Sequence, residues 1–207
     1  MVDQKNMWEI ENAHFENGIV TICGVDEAGR GPLAGPVCAA AVILPAGLAI
    51  PGLDDSKKLS DKRRRELFPI IKENAIAYGI AFATHEEIDE INILQATFLA
   101  MERALAQLKI KPDLALIDGN RQKDFGINVE TVVKGDSRSA NIAAASVLAK
   151  VTRDEYMEQI ATEYPQYGFE IHKGYGTKAH YEALRQHGPS PIHRMTFLRK
   201  FYGADQT

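Results

Sequence analysis

The sequence predicts a mixed α/β sheet covered by helices, followed by a small helical C-terminal appendage. Three observations lead to this class. Apolar segments of strand length come first, further strands then alternate with segments of helical periodicity, and the last 43 residues contain no strand pattern. We therefore expect an N-terminal extension at 1–18, a central domain at 19–164 and the appendage at 165–207.

The first half of the chain consists mainly of predicted strands. Apolar runs at 19–26 and 36–44 predict two strands, and the glycine-rich segment between them, EAGRGPLAG, predicts a hairpin. Ser60 is a good N-cap for a helix that runs toward Asn74. Pro69 lies inside this helix, so a kink or an early break is expected there. A third strand is predicted at 75–83.

The second half of the chain alternates helices and strands. Thr84 followed by Glu87 is a capping-box pattern, which predicts the start of a short helix. The remaining predicted elements are helices at 93–108 and 141–162, strands at 114–117 and 129–133, and two short helices within 172–202.

Four acidic side chains lie at the ends of three predicted strands: Asp26, Glu27, Asp118 and Asp136. One aspartate at a strand end is often only a turn residue, but ligands of open α/β sheets bind at such ends. Converging carboxylates repel one another unless cations lie between them. Mg²⁺ and Mn²⁺ prefer oxygen ligands, and a pair of such ions can promote hydrolysis of a phosphodiester. Because neighbours on a strand point to opposite faces, Asp26 and Glu27 share a site only if the strand ends there.

The charge is unevenly distributed along the chain. The formal net charge is −4, from 24 basic and 28 acidic residues, whereas a nucleic-acid binder is usually basic. Six basic side chains nevertheless lie within 57–65, and a second basic segment lies within 172–200. One such run is usually a solvated helix face, but two of them favour a local surface for a polyanion.

Several short motifs, taken in order, resemble one family. Gly24-Val25-Asp26-Glu27-Ala28-Gly29-Arg30-Gly31-Pro32 closely resembles the opening signature of ribonuclease HII, also called type 2 ribonuclease H. Matching motifs follow in the family's order along nearly the whole chain from about residue 19: DSKKL at 55–59, IDG at 117–119, KGD at 134–136, AASVLAKVTRD at 144–154 and HKGYGT at 172–177. The resemblance implies a ribonuclease-H-like fold.

The resemblance also implies roles for individual residues. It implies that Asp26, Glu27, Asp118 and Asp136 are catalytic ligands of Mg²⁺ or Mn²⁺, with two ions present when substrate is bound. The loop Gly29-Arg30-Gly31 resembles the family's reader of ribose 2′-hydroxyls, and Tyr175 resembles the tyrosine that contacts the ribonucleotide. Residues that match positions near phosphates are Lys57, Ser146, Lys150 and Arg153, although those on the long helix could equally be surface charges.

The implied activity is an endonuclease that cuts the RNA strand of RNA–DNA hybrids. The implied cut lies 5′ of a ribonucleotide, also of one embedded in duplex DNA, and leaves a 3′-hydroxyl and a 5′-phosphate. Two alternatives remain. One is ribonuclease HIII, whose extra N-terminal domain is not expected here because about 18 residues precede the first strand, and the other is a hybrid-binding protein that has lost catalysis.

Some features are better explained by packing or by the compartment. The histidines at 172, 180, 187 and 193 are expected to be packing or surface residues, and Cys23 and Cys38 to be buried reduced thiols of a cytoplasmic protein. The segment LRKFY at 198–202 faintly resembles a sliding-clamp-binding tail but lacks its initial Gln, so core packing is favoured. We expect a monomer with no membrane segment and no signal peptide.

Overall fold

Five strands form one mixed sheet in the computed structural model, which describes residues 6–53 and 59–203. They are β1 (Ile22–Ala28), β2 (Val37–Ile43), β3 (Ala77–Ala83), β4 (Leu114–Asp118) and β5 (Asn128–Val132). The order across the sheet is β3-β2-β1-β4-β5. Antiparallel pairing of β1 with β2 confirms the predicted hairpin, whereas β1, β4 and β5 run parallel. The carboxyl ends of these three strands therefore meet at one edge.

The described residues form seven α-helices. They are α1 (Glu9–Glu16), α2 (Asp61–Asn74), α3 (His85–Ala106), α4 (Ala140–Glu163), α5 (Phe169–His172), α6 (Lys178–His187) and α7 (Met195–Gly203). Short 3-10 turns lie at Asn6–Trp8, Gly135–Ser137 and Pro165–Tyr167. None of the helices in this part of the chain is both long and apolar enough to cross a membrane.

Helix boundaries follow the predicted caps, with two differences. Ser60 caps α2, and Thr84 with Glu87 forms the predicted capping box of α3. Of the kink or early break predicted at Pro69, the early break is excluded, because α2 continues to Asn74 and buries Leu67 and Ile71 around the proline. The two helices predicted between 84 and 108 run on as α3, but Asn92 has a non-helical backbone (φ 66°) that divides them.

The core has one layer on each face of the sheet. Alternate residues of β2 point to opposite faces, so that Cys38 packs toward α2 and α4 while Ala39 packs toward α3. Gly24 lets α4 lie directly on β1, since a Cβ there would be 2.1 Å from the backbone of Asn141. Both cysteines are buried, as expected, and burial raises the pKa of Cys23 to about 12.

The two terminal segments pack on the central domain. Helix α1 was not predicted; its Glu11 is buried and accepts hydrogen bonds from Ser139 and Asn141 at the start of α4. The C-terminal segment shares a core with Leu33 and pairs His193 with Ala34. Its helices α6 and α7 are the two predicted within 172–202, whereas the short helix α5, which ends at His172, was not predicted. The domain boundaries at 18 and 164 stay predictions.

Candidate active site

Three aspartates converge where the parallel strands end. Asp26 lies on β1, Asp118 is the last residue of β4, and Asp136 lies in the 3-10 turn that follows β5. Each offers a carboxylate oxygen, and the three oxygens lie within 4.8 Å of one another. The register pairs Val25 with Ile117, so Asp26 and Asp118 follow as neighbours on the same face of the sheet. An oxygen-only ligand set of this kind suits a hard divalent cation.

The carboxylates of the three aspartates repel one another, and this repulsion contributes to the pKa of Asp26. Asp26 is 3% exposed. Burial, followed by the charges of Glu27 and Asp118, raises the pKa of Asp26 well above its usual value, and a hydrogen bond from Ser146 opposes this rise. Asp118 accepts a hydrogen bond from the backbone N–H of Gly135 at 2.7 Å, which fixes the turn carrying Asp136 against β4. A cation among the three would relieve the repulsion.

Glu27 is placed differently from the three aspartates. The expectation that β1 ends at Asp26 and Glu27 was wrong, because the strand continues to Ala28. The two side chains therefore leave opposite faces. Glu27 lies outside the three-aspartate group among the described residues and forms a 3.3 Å ion pair with Arg30. It still lines the same pocket.

Two of the three aspartates, Asp26 and Asp118, share a pocket with the glycine-rich loop and the predicted tyrosine. The pocket, called the acidic pocket below, is lined by Asp26, Glu27, Gly29, Arg30, Gly31, Arg64, Asp118, Ser146, Lys150 and Tyr175. The ring of Tyr175 is 43% exposed, and a Cβ on Gly31 would lie 3.6 Å from it. Gly29 has φ +97° and no room for a side chain, since a Cβ would lie 1.9 Å from Nε of Arg153. Residues about 145 positions apart thus meet at one opening.

The predicted phosphate-side residues occupy different environments. Lys150 lines the acidic pocket, pairs with Asp154 at 2.8 Å and lies over the ring of Tyr175. Ser146 is buried and forms a side-chain hydrogen bond with Asp26, so in this structure its hydroxyl contacts a carboxylate. Lys57 lies outside the described residues. The sequence predicted no individual role for Arg64, which is one of the basic residues within 57–65. In the structure, Arg64 lies in the first turn of α2 and lines the acidic pocket.

Two fully buried arginines lie behind the loop. Arg153 donates to the carbonyls of Pro36, Lys173 and Ala34, so it fixes backbone and is not exposed to a phosphate. Arg194 donates to three other carbonyls of the β1–β2 loop. Burial, and next the charge of Arg153, lowers the pKa of Arg194 to about 9, which leaves it protonated at neutral pH. Sequence reasoning counted Arg194 only as one charge of a basic segment, and no local pattern marked it.

Three histidines of the C-terminal segment, at 172, 180 and 193, form a packed cluster, whereas His187 is exposed. His193 Nδ1 accepts from the N–H of Ser190, which leaves Nε2–H of His193 to donate to Nε2 of His180 at 2.9 Å. Nδ1–H of His180 then donates to the carbonyl of Tyr175. His172 stacks on His180. Burial lowers the pKa of both His180 and His193 to about 4, so the chain of hydrogen bonds is neutral.

Comparison with known proteins decides the family. The model of the family described as Ribonuclease HII matches residues 23–200. The chain belongs to the ribonuclease HII family. It is 58% identical to the ribonuclease HII of Endomicrobium trichonymphae over 193 residues, which covers 93% of this chain and 92% of that protein.

Two solved structures carry the same fold. The crystal structure of ribonuclease H2 from Pyrococcus horikoshii OT3 matches with a TM-score of 0.71 and 30% identity, covering 86% of this chain and 93% of that one. The ribonuclease HII in a complex with PCNA from Archaeoglobus fulgidus matches with a TM-score of 0.68 and 26% identity, covering 85% and 94%. The predicted ribonuclease-H-like fold is confirmed.

Family membership settles the class of reaction. The chain is a ribonuclease H endonuclease, an enzyme that acts on RNA–DNA substrates with divalent metal ions. The alternatives of ribonuclease HIII and of an inactive binding protein are set aside by the match to ribonuclease HII. The three aspartates are the residues of the described chain that fit the metal requirement.

Proposed function

We propose that this ribonuclease HII cuts at the 5′ side of a ribonucleotide, in RNA–DNA hybrids and in duplex DNA that contains a single ribonucleotide. The products are a 3′-hydroxyl and a fragment that begins with a 5′-phosphate. One observation carries the proposal. Asp26 and Asp118 border the acidic pocket together with the loop Gly29-Arg30-Gly31 and Tyr175. The carboxylate of Asp136 lies within 4.8 Å of those of Asp26 and Asp118, so the proposed metal ligands and ribose-facing groups lie side by side.

The acids have two different tasks in this proposal. Asp26, Asp118 and Asp136 hold a Mg²⁺ or Mn²⁺ ion, because their oxygens already lie within 4.8 Å of one another. Glu27 also lines the pocket but lies outside the three-aspartate group, so it would complete a second ion site only together with the substrate. A pair of such ions, when bound, activates the attacking water and stabilises charge on the departing oxygen.

The opposite side of the pocket selects for ribose. Because Gly31 has no side chain, its backbone lies close to the ring of Tyr175, and an added Cβ would be 3.6 Å from that ring. We propose that the sugar lies against this surface, in contact with both residues. Tyr175 is half exposed there, so its ring can stack on the sugar or base and its hydroxyl can meet a 2′-hydroxyl. That hydroxyl is the group that separates RNA from DNA.

Basic side chains hold the strand across this opening. Lys150 and Arg64 line the pocket itself, and we propose that they contact phosphates. Lys57 is proposed for the same role by its motif. Arg153 is proposed to act on the loop from behind, since its three donors are used on backbone carbonyls.

The remaining proposals concern partners and compartment. We propose a monomer that acts in the cytoplasm, where buried Cys23 and Cys38 stay reduced. The Archaeoglobus fulgidus neighbour is seen with PCNA. A sliding-clamp contact of this chain would have to use surface other than Leu198, which is fully buried in α7. Phe197 and Phe201 also pack against the C-terminal core.

Cleavage of a DNA duplex with one ribonucleotide tests the proposal. The wild type should cut once, at the 5′ side of the ribonucleotide, in the presence of Mg²⁺. Tyr175→Ala should lose more activity on this substrate than on a continuous hybrid, in which neighbouring 2′-hydroxyls still hold the strand in register. Tyr175→Phe separates the causes, because one neutral hydrogen bond accounts for about two- to tenfold.

Gly31→Ala sharpens the test from the loop side. The added methyl meets only Tyr175, at 3.6 Å, so the fold should tolerate it while the space for the sugar is reduced. Gly203→Ala is a matched control, because a Cβ there has no neighbour within 4 Å and it lies in α7. Equal rates for the two variants on the single-ribonucleotide duplex would exclude this space as the ribose site, and no cut by the wild type would refute the proposed function.

A further inference from the structure

We propose that Arg194 is a positioning residue that holds the loop Gly29-Arg30-Gly31 from behind and turns its backbone N–H groups toward the substrate. This proposal rests on the proposed function, in which that loop faces the ribose. Arg194 lies 165 positions after Gly29 in the sequence and, in this proposal, shapes the ribose-facing surface.

The contacts of Arg194 are concentrated on one loop. Its side chain is fully buried, and its guanidinium donates from Nη2 to the carbonyl of Gly29 at 2.6 Å and from Nη1 to that of Arg30 at 2.9 Å. Nε donates to the carbonyl of Gly35 at 2.9 Å. The rigid planar fork of an arginine can bridge three carbonyls in this way, whereas a lysine ammonium cannot match the geometry.

The planarity of the peptide bond gives these contacts a consequence. In a trans peptide the C=O of one residue and the N–H of the next lie in one plane and point in opposite directions. The described chain contains no cis peptide bond. With the carbonyls of Gly29 and Arg30 turned inward to Arg194, the N–H groups of Arg30 and Gly31 are directed away from the buried guanidinium. The acidic pocket lies on that outer side, since Arg30 and Gly31 line it.

Arg194 is itself held by contacts from three directions. Its own N–H donates to the carbonyl of Leu33 at 2.9 Å. The next residue, Met195, donates its N–H to Asp89 at 2.7 Å, which fixes the start of α7. Preceding Arg194, His193 pairs with Ala34. The guanidinium therefore has a rigid base from which to orient the loop.

The buried charge has a second effect on the pocket. Within residues 6–53 and 59–203, neither Arg194 nor Arg153 has a carboxylate within ion-pair distance, and both donate to carbonyls. Two guanidiniums behind the loop add positive potential to a pocket that is lined by both acidic and basic side chains, the latter being Arg30, Arg64 and Lys150. An anionic strand with a 2′-hydroxyl at the loop is the ligand that this arrangement favours.

Binding without added divalent metal, so that nothing is cut, tests the proposal. Affinity is measured for a duplex with one ribonucleotide and for the same duplex made only of DNA. For Arg194→Lys the preference for the ribonucleotide should fall by about two- to tenfold, the worth of one hydrogen bond. Affinity for the all-DNA duplex should stay unchanged, because the phosphate contacts remain. Arg103→Lys, an exposed arginine that donates to Glu87 and the carbonyl of Phe82, is the control.

Two further measurements keep the outcomes distinct. Arg194→Gln, which leaves no buried ammonium without partners, is used if the lysine variant does not fold. Backbone order parameters at Arg30 and Gly31 should fall in either variant. If the variant keeps the wild-type preference for the ribonucleotide and the wild-type order parameters, the role of Arg194 alone is overturned. The same holds if the variant loses equal affinity for both duplexes. A wild type with no preference for the ribonucleotide would overturn the proposed function and this inference with it.

Discussion

Removing one carboxylate charge from the metal group should make the metal-free protein more stable. Asp118→Asn is the informative change, because an amide oxygen can still accept the hydrogen bond from the N–H of Gly135. The substitution therefore keeps the turn that carries Asp136 and removes a charge from the three converging oxygens. Cleavage should fall severely, while the fold should stay intact.

The expected size of the effect follows from the distances. Two unit charges 4.8 Å apart repel by about 3 kcal/mol at an effective dielectric constant of about 20. The pKa of Asp26 is raised first by burial and then by the charges of Glu27 and Asp118, and the second cause is this same repulsion. The hydrogen bond to Gly135 also weakens by roughly 1 kcal/mol when its acceptor becomes neutral. A net gain of about 1–3 kcal/mol remains, and each 1 kcal/mol raises Tm by about 2–4 °C in a domain of this size.

Thermal unfolding with and without Mg²⁺ measures both parts of this prediction. Mg²⁺ should raise Tm of the wild type by binding the folded state, and this shift should be largely lost in Asp118→Asn. Glu27→Gln should keep most of the shift and still lose cleavage, because Glu27 lies outside the three-aspartate group.

Asp113→Asn is the matched control at the other end of β4. Asp113 also accepts backbone N–H groups, at 2.8 and 3.3 Å, but it has no part in the metal group. A lower metal-free Tm for Asp118→Asn than for Asp113→Asn, or an unchanged Mg²⁺ shift, would refute the three-aspartate site.

Two further predictions concern groups far from the metal. Because burial lowers the pKa of His180 and His193 to about 4, their contribution to stability is complete above the unfolded value of about 6.5. This contribution is lost as pH falls toward 4, by about 1.4 kcal/mol per pH unit for each histidine. A Tm that does not fall between pH 7 and pH 5 would contradict this prediction. Burial raises the pKa of Glu11, so neutral Glu11→Gln should cost little. Glu11→Ala should cost about 1–3 kcal/mol in urea unfolding by leaving Asn141 without its acceptor, and equal losses would contradict this role.

The sequence predicted the local parts of the fold well because local chemistry determines them. The capping box at Thr84 and Glu87 involves residues three positions apart, and the hairpin of β1 and β2 follows from its glycine-rich turn. Helix α1 has no comparable signal, since its burial depends on contacts with α4 and with the loop carbonyl of Leu48. The break predicted at Pro69 failed for a related reason, because Leu67 and Ile71 on both sides of it are buried in the core.

The acids of the site were predictable because each follows an apolar run, and the topology then brings three of them together. Which acids share one face was not predictable, since it depends on where β1 ends. The burial of the Arg153 side chain could not be predicted either. A basic residue on an alanine-rich helix has the same local pattern whether it faces solvent or lies behind a loop.

In the proposed function, recognition of the ribonucleotide depends on contacts that span nearly the whole chain. The segment around His193 reaches Tyr175 through His180 and reaches Gly29 through Arg194, so one short segment fixes both sides of the ribose-facing opening. Metal binding, by contrast, depends on the sheet edge formed by β1, β4 and β5. Substitutions near residue 193 should therefore alter the preference for ribose without altering the response to Mg²⁺, whereas substitutions at the strand ends should alter the response to Mg²⁺ first. The two halves of the activity are separable because different parts of the fold hold them.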